Sequence, residues 1–306
     1  MHITFFSKDT KPEPWVNALR QQLPEARVEA WAAGADPADY AVVWAPPQEF
    51  LDAQPRLKGL FNIGAGVDAL MQLRLPTGVP VVRLDDAGMS VQMAEYVCHA
   101  VIRYFRELDV YAEEAQQAHW AFRRPRVRAD FTVGVMGLGV LGQRVAQALR
   151  GFEFPVVGWS RTPRQVEGIT CHAGAEGFGA FLGASQVLVN LLPLTPDTEN
   201  ILNRDTLAQL RTGAYVINVA RGAHLVDADL LALLDSGHLA GATLDVFRTE
   251  PLPAEHPFWQ HRCITVTPHT SARTLRDESV AQIVRKIRAL ERGEPITGVV
   301  DPLRGY

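Results

Sequence analysis

The chain has 306 residues, 47% of them hydrophobic and 21% charged. That is a globular composition, with length for about two domains, and it excludes a disordered chain. Thirty basic residues against 34 acidic ones leave a net charge of −4, which argues against coating nucleic acid or an anionic membrane.

The cysteines (Cys98, Cys171, Cys263) are scattered and form no CxxC pair, and the opening residues carry no basic leader followed by an apolar stretch. The expectation is a cytoplasmic protein without a disulfide framework, metal cluster, secretory leader or membrane span.

Short apolar runs alternate with helical patterns, the signature of α/β layers. In the first hundred residues, strands are predicted over 3–6, 40–44, 60–63 and 79–83, with Pro-rich loops at 11–14 and 45–47. A long helix follows Gly88-Met89, with Ser90 as its cap. Ala94, Val97, Cys98, Val101, Ile102, Phe105 and Leu108 recur at i, i+3 and i+4 and give it one apolar face. That face reads either as core or as a subunit interface running on toward Trp120. The basic stretch 123–128 reads as a solvated loop.

A second block, from Phe131 to about Arg273, has predicted strands over 131–136, 156–159, 187–191, 215–219, 243–246 and 263–267. A last helix carries Leu275, Ile283, Val284, Ile287 and Leu290 on one side and stops at Gly293. It is expected to return to the first domain, making that domain discontinuous.

After the first strand of this block comes Gly137-Leu138-Gly139-Val140-Leu141-Gly142, and a helix follows. In that context a GxGxxG motif binds a dinucleotide. The first glycine makes the tight turn, the second admits a pyrophosphate, and the third lets helix and strand pack closely. The next strand ends Trp159-Ser160-Arg161-Thr162. An NAD binder places a carboxylate there for the ribose 2′-hydroxyl. A guanidinium with neighbouring hydroxyls suits a 2′-phosphate instead, so NADP(H) is expected over NAD(H).

Three further segments end strands with reactive side chains: Asn218-Val219-Ala220-Arg221-Gly222, Leu244-Asp245-Val246-Phe247 with Glu250-Pro251, and Thr267-Pro268-His269-Thr270. Together with Gly64-Ala65-Gly66-Val67-Asp68 and the closing Val300-Asp301-Pro302-Leu303-Arg304-Gly305-Tyr306, these make the chain resemble the D-isomer-specific 2-hydroxyacid dehydrogenases along nearly its whole length.

The resemblance implies two doubly wound α/β domains with a cleft between them. Residues 1–97 and 274–306 would form a flavodoxin-like substrate domain, and 98–273 a Rossmann cofactor domain. The implied activity is NADPH-dependent reduction of glyoxylate to glycolate and of hydroxypyruvate to D-glycerate, in a homodimer.

It also implies site roles. His269 would be the general acid, oriented by Glu250, and Arg221 would hold the carboxylate and polarise the keto group. Backbone N–H groups at Ala65 and Gly66 would grip the substrate from the other domain. Asp245 would accept from the nicotinamide carboxamide. The cofactor contacts would be completed by residues 137–142, Ser160, Arg161, Leu192, Pro193, Thr198, Val219, Ala220 and His269. Trp44, Met89 and Trp120 would be the bulky residues that favour a short acid, and no metal is expected. Two alternatives stay open: a reductase of a bulkier acid such as phenylpyruvate, and a dinucleotide-sensing binding protein.

Overall fold

The computed structural model describes residues 1–301. Pro302 and the residues after it, part of the closing segment cited above, lie outside the described residues. The chain divides into two units, Met1–Met89 together with the chain from Arg273 onward, and Ser90–Ala272.

In the first unit, strands β1 (His2–Ser7), β2 (Arg27–Ala30), β3 (Tyr40–Trp44), β4 (Gly59–Asn62) and β5 (Val81–Val82) pair in the order β2-β1-β3-β4-β5. Every pairing is parallel. Parallel neighbours require crossovers, which α1 (Pro12–Gln22), α2 (Gln48–Asp52) and α3 (Asp68–Met71) supply in part. Helix α1 starts with proline in its first turn, has Glu13 near its N-terminus and Arg20 near its C-terminus, and buries Trp15, Val16 and Leu19. Both charges oppose the helix dipole.

The second unit begins one residue inside α4 (Met89–Phe105), and α5 (Leu108–Gln116) follows. Then follow β6 (Val133–Met136), α6 (Val140–Gly151), β7 (Val156–Ser160), β8 (Thr170–Ala173), α7 (Gly174–Ala184), β9 (Val187–Asn190) and α8 (Arg204–Leu207). The unit closes with β10 (Ala214–Asn218), α9 (Asp227–Asp235), β11 (Leu239–Leu244) and β12 (Ile264–Val266). The seven strands form one parallel sheet, β12-β11-β10-β9-β6-β7-β8, the doubly wound dinucleotide-binding order with one added edge strand. All residues of β6, β9 and β10 are buried. A parallel strand covered on both faces reads as an unbroken apolar run. Helix α10 (Arg276–Glu291) puts Ile283, Val284 and Ile287 into the same core as β1 and α1, in the first unit, and Gly293 just after it is left-handed at φ 70°.

The fold class is the expected one, but several elements differ. The edge strands β2 and β8 were not anticipated. Strand β5 is two residues long, and β11 ends at Leu244, so Asp245 and Val246 lie beyond it. Helix α4 begins at Met89, which puts Ser90 inside its first turn.

The apolar face of that helix is core from Ala94 to Phe105, packed on Val133, Val135 and Val187 of its own unit. The helix then breaks at Glu107, left-handed at φ 55°, so Leu108 falls out of phase and is exposed, and α5 buries no residue.

Nor is the basic stretch merely solvated. The Arg126 guanidinium lies 4.3 Å from the Tyr104 ring centre, and Arg128 lies 4.8 Å from Phe105 and 4.6 Å from Phe154. Arg126 also donates to the Tyr104 carbonyl at 2.9 Å, and Arg123 pairs with Glu107. Guanidinium-on-ring stacking of this kind stabilises by about 0.5–1 kcal/mol per pair, and here it fixes a segment that has almost no regular structure.

Candidate active site

In the second unit all strands run the same way, so their carboxyl ends share one edge. The glycine loop follows β6, Arg161 follows β7, residues 192–198 follow β9, Arg221 follows β10, Asp245 and Glu250 follow β11, and His269 follows β12. Ligands of open α/β sheets bind at that edge.

The glycine loop passes a test of fit for a dinucleotide. Gly137 has φ 105°, and a side chain there would meet the Leu191 carbonyl at 2.7 Å. A Cβ on Gly142 would lie 1.8 Å from the Gly137 carbonyl oxygen. Those two glycines are required by the fold itself. A Cβ on Gly139 would meet no protein atom within 4 Å, so the space beside it is open to a ligand's approach. Gly139 is also the N-cap of α6 and supplies no side-chain cap, and the N–H groups of a helix N-terminus suit an anion.

Ser160 is buried at the end of β7, and its hydroxyl donates to the Thr162 carbonyl at 2.8 Å. It therefore shapes the turn that presents Arg161, which is exposed. The strand end carries no carboxylate.

His269 and Glu250 are joined: Nδ1 lies 2.8 Å from Glu250 Oε2, while Oε1 accepts from the Phe247 N–H at 2.9 Å. Burial pushes the Glu250 carboxyl up. The hydrogen bonds from His269 and Phe247 and the charges of His269 and Arg221 outweigh that, and its pKa falls below the usual carboxylate value. A carboxylate only accepts, so Nδ1 carries a hydrogen and Nε2 is the ring's exchangeable position. Arg221 follows β10 through Val219 and Ala220, both buried. A side chain on Gly222 would overlap the Phe247 and Arg248 backbone, at 1.8 and 2.3 Å. This close approach brings the Arg221 turn against the segment that leads to Glu250.

The backbone of His269 is left-handed, φ 51°, a conformation that costs a non-glycine residue about 1–2 kcal/mol. Asp245 holds it there. Its carbonyl accepts from the His269 N–H at 2.8 Å, Oδ1 accepts from Thr267 Oγ1 at 2.6 Å and from the Thr270 N–H at 2.8 Å, and Oδ2 accepts from the Ser271 N–H at 2.8 Å. Thr267 donates to Asp245, so the Tyr96 hydroxyl, 2.5 Å from Thr267 Oγ1, is the donor of that pair.

In the first unit, Asn62 was not anticipated. It is buried at the end of β4, and its Nδ2 donates to the carbonyls of Gly64 and Gly66 at 3.0 and 2.8 Å. Both carbonyls flanking Ala65 are thereby turned toward Asn62. Trp44 closes over the same loop, and a Cβ on Gly64 would lie 2.4 Å from its ring. Of the other bulky candidates, Met89 is buried and Trp120 is 98% exposed. Only burial exposes Asn62 as a positioning residue; as a letter in the sequence it reads as a strand end.

The domain family described as D-isomer specific 2-hydroxyacid dehydrogenase, NAD binding domain, matches residues 98–271. A glyoxylate/hydroxypyruvate reductase A of Serratia proteamaculans is 51% identical over the whole of both chains. A D-isomer specific 2-hydroxyacid dehydrogenase of Xanthobacter autotrophicus Py2, solved with NADPH and MES, is 42% identical, with a TM-score of 0.95 over 100% of this chain and 99% of that one. An NADPH-dependent glyoxylate/hydroxypyruvate reductase of Sinorhizobium meliloti, solved with NADP and sulfate, is 38% identical, with a TM-score of 0.94 over the same shares.

The two kinds of glycine separate by experiment. Gly139→Ala should melt like the parent yet weaken dinucleotide binding about tenfold or more, ~1.4 kcal/mol. Gly142→Ala should lower stability by about 1–3 kcal/mol from overpacking. Calorimetry and NADPH fluorescence titration of both variants check the pair.

Proposed function

The chain belongs to the D-isomer specific 2-hydroxyacid dehydrogenase family, and from that premise we propose that it reduces the short 2-keto acids glyoxylate and hydroxypyruvate with NADPH. The observation that carries the reading is the Glu250–His269 hydrogen bond at 2.8 Å beside the Arg221 turn. The names of its relatives support the substrate class.

When bound, the reduced nicotinamide supplies the hydride to the keto carbon. The chain's own residues do the rest. His269 holds a proton at Nε2 for the keto oxygen, and Glu250 keeps the ring turned that way through Nδ1. Arg221 offers a planar fork to carboxylate and keto oxygens, a geometry lysine lacks. In the reverse direction Nε2 accepts the hydroxyl proton.

Ala65 and Gly66, in the first unit, are proposed to bind the substrate carboxylate through their N–H groups, with Trp44 limiting acid size. The residues proposed to contact the cofactor are 137–142, Arg161 at the 2′-phosphate with Ser160 behind it, Leu192, Pro193, Thr198, Val219 and Ala220. Asp245 keeps its place beside the nicotinamide carboxamide in this reading, while its three accepted hydrogen bonds make its first task the geometry of residues 267–271. Free cysteines suit the reducing cytoplasm proposed as the protein's setting. Among the described residues no helix is long and apolar enough to cross a membrane.

A homodimer is part of the proposal, with its interface moved. The α4 stripe is internal core, so the contact is assigned to α5 and the segment after it, where Leu108, Trp120, Phe122 and Val127 are exposed. Sedimentation of Trp120→Asp/Phe122→Asp should report a monomer where the parent is a dimer. A parent that is already monomeric defeats the assignment.

The enzymatic reading is tested by NADPH and NADH oxidation with glyoxylate, hydroxypyruvate, pyruvate and phenylpyruvate. Fast NADPH oxidation by the two short acids is expected, and turnover with phenylpyruvate alone would discard the substrate class. His269→Ala should lower kcat on the order of 10²–10⁴-fold, the range for a lost general acid; near-full turnover would refute the role. Arg161→Ala should raise the Kd of NADPH by roughly tenfold, as loss of a charge-assisted pair does, and leave NADH nearly unchanged. Equal losses would remove the 2′-phosphate contact.

A further inference from the structure

The register of the second sheet pairs Asn190, the last residue of β9, with Asn218, the last of β10. Both are completely buried, and so is His224, six residues beyond Asn218. The hydrogen bonds among them leave one consistent assignment. Asn190 Oδ1 accepts from the Leu192 N–H at 3.2 Å, which fixes that amide's orientation. Asn190 Nδ2 therefore points its two hydrogens at Asn218 Oδ1 and at His224 Nδ1, each 3.0 Å away. His224 Nδ1 must accept, so the ring's hydrogen sits on Nε2, 3.2 Å from the Pro193 carbonyl. On the other side, Asn218 Oδ1 also accepts from the Ala220 N–H at 3.3 Å, and Asn218 Nδ2 donates to the Arg221 carbonyl at 3.0 Å.

The side-chain bonds given above reach backbone at two places. One is the start of the 192–198 segment, whose first residue lies against Gly137. The other is the turn that carries Arg221. We propose that His224, locked as the Nε2–H tautomer by Asn190, is a positioning residue that holds the Pro193 carbonyl and so sets the 192–198 segment against the dinucleotide, while Asn218 ties the same network to the Arg221 turn. This rests on the reading of residues 192–198 as a cofactor wall. Buried polar groups hold one geometry when every partner is satisfied, which is what a loop facing a large charged ligand needs.

The two amide substitutions of His224 separate positioning from mere packing. An asparagine amide reaches about where Nδ1 lies, and a glutamine amide about where Nε2 lies. His224→Asn keeps the bond to Asn190 and loses the one to Pro193; His224→Gln does the reverse. Each loses one of these two ring bonds, so their melting temperatures should fall alike. The Kd of NADPH, read by fluorescence titration, should rise roughly two- to thirteen-fold in His224→Asn, the range for one neutral hydrogen bond, and stay near the parent value in His224→Gln. Equal Kd values in the two variants, raised or not, overturn the proposal.

Should neither variant fold, ¹⁵N spectra of histidine-labelled parent protein decide. A protected Nε2–H resonance that moves when NADPH is added is expected; an Nδ1–H tautomer, or a resonance indifferent to NADPH, overturns it. Binding needs no substrate, so a parent that binds NADPH without reducing keto acids refutes the catalytic reading alone. A parent that binds no NADPH refutes the cofactor reading, and the tautomer then decides the network.

Discussion

The geometry around His269 hangs on the carboxylate of Asp245. It lies just beyond β11, completely buried, and gathers Thr267, Thr270 and Ser271 while its own carbonyl takes the His269 N–H. A buried charge without such donors would cost several kcal/mol. With them it becomes a fixed point from which the β12 loop is suspended. The left-handed turn at His269 is strained on its own, and it persists because three donors converge on one acid. Glu250 then needs to align only a ring, not a loop.

The sequence was most legible where physics leaves few options. Strand β3 could be read to the residue, because a strand buried on both faces must be apolar throughout. Strands β2 and β8 escaped because they are edges: Arg27–Ala30 and Thr170–Ala173 carry exposed and half-buried positions and little apolar signal. Pro80 precedes β5 and Pro76 leads into the loop before it, so the run over 79–83 yields only two ladder residues. The break at Glu107 has no glycine or proline to announce it. Of the proposed site, Arg221, Glu250, His269 and the glycine loop could be named in advance because residue type, order and place at strand ends constrain one another. Asn62, Asn190 and His224 carry no such signal, since what marks them is burial and which groups they meet.

The two glycine-dependent loops solve opposite problems. Around Gly137 and Gly142 the chain is pressed against itself so closely that no side chain fits, and the protein's own backbone enforces the residue. At Gly64 the crowding comes from the Trp44 ring, so the loop that carries Ala65 is bounded by that side chain and tied by the Asn62 amide. One loop is rigid by main-chain contact and the other by side-chain clasp, and the second is the easier for substitution to reshape.

The stacking of Arg126 and Arg128 on Tyr104, Phe105 and Phe154 has a thermodynamic consequence for the residues just before it. Trp120 and Phe122 stand out from the surface, yet they stand on a backbone anchored downstream by these guanidinium stacks and upstream by α5. Any surface that closes over them meets a backbone already held just downstream. Less of the free energy of association is then lost to ordering a loop, and more of the buried aromatic area counts toward affinity.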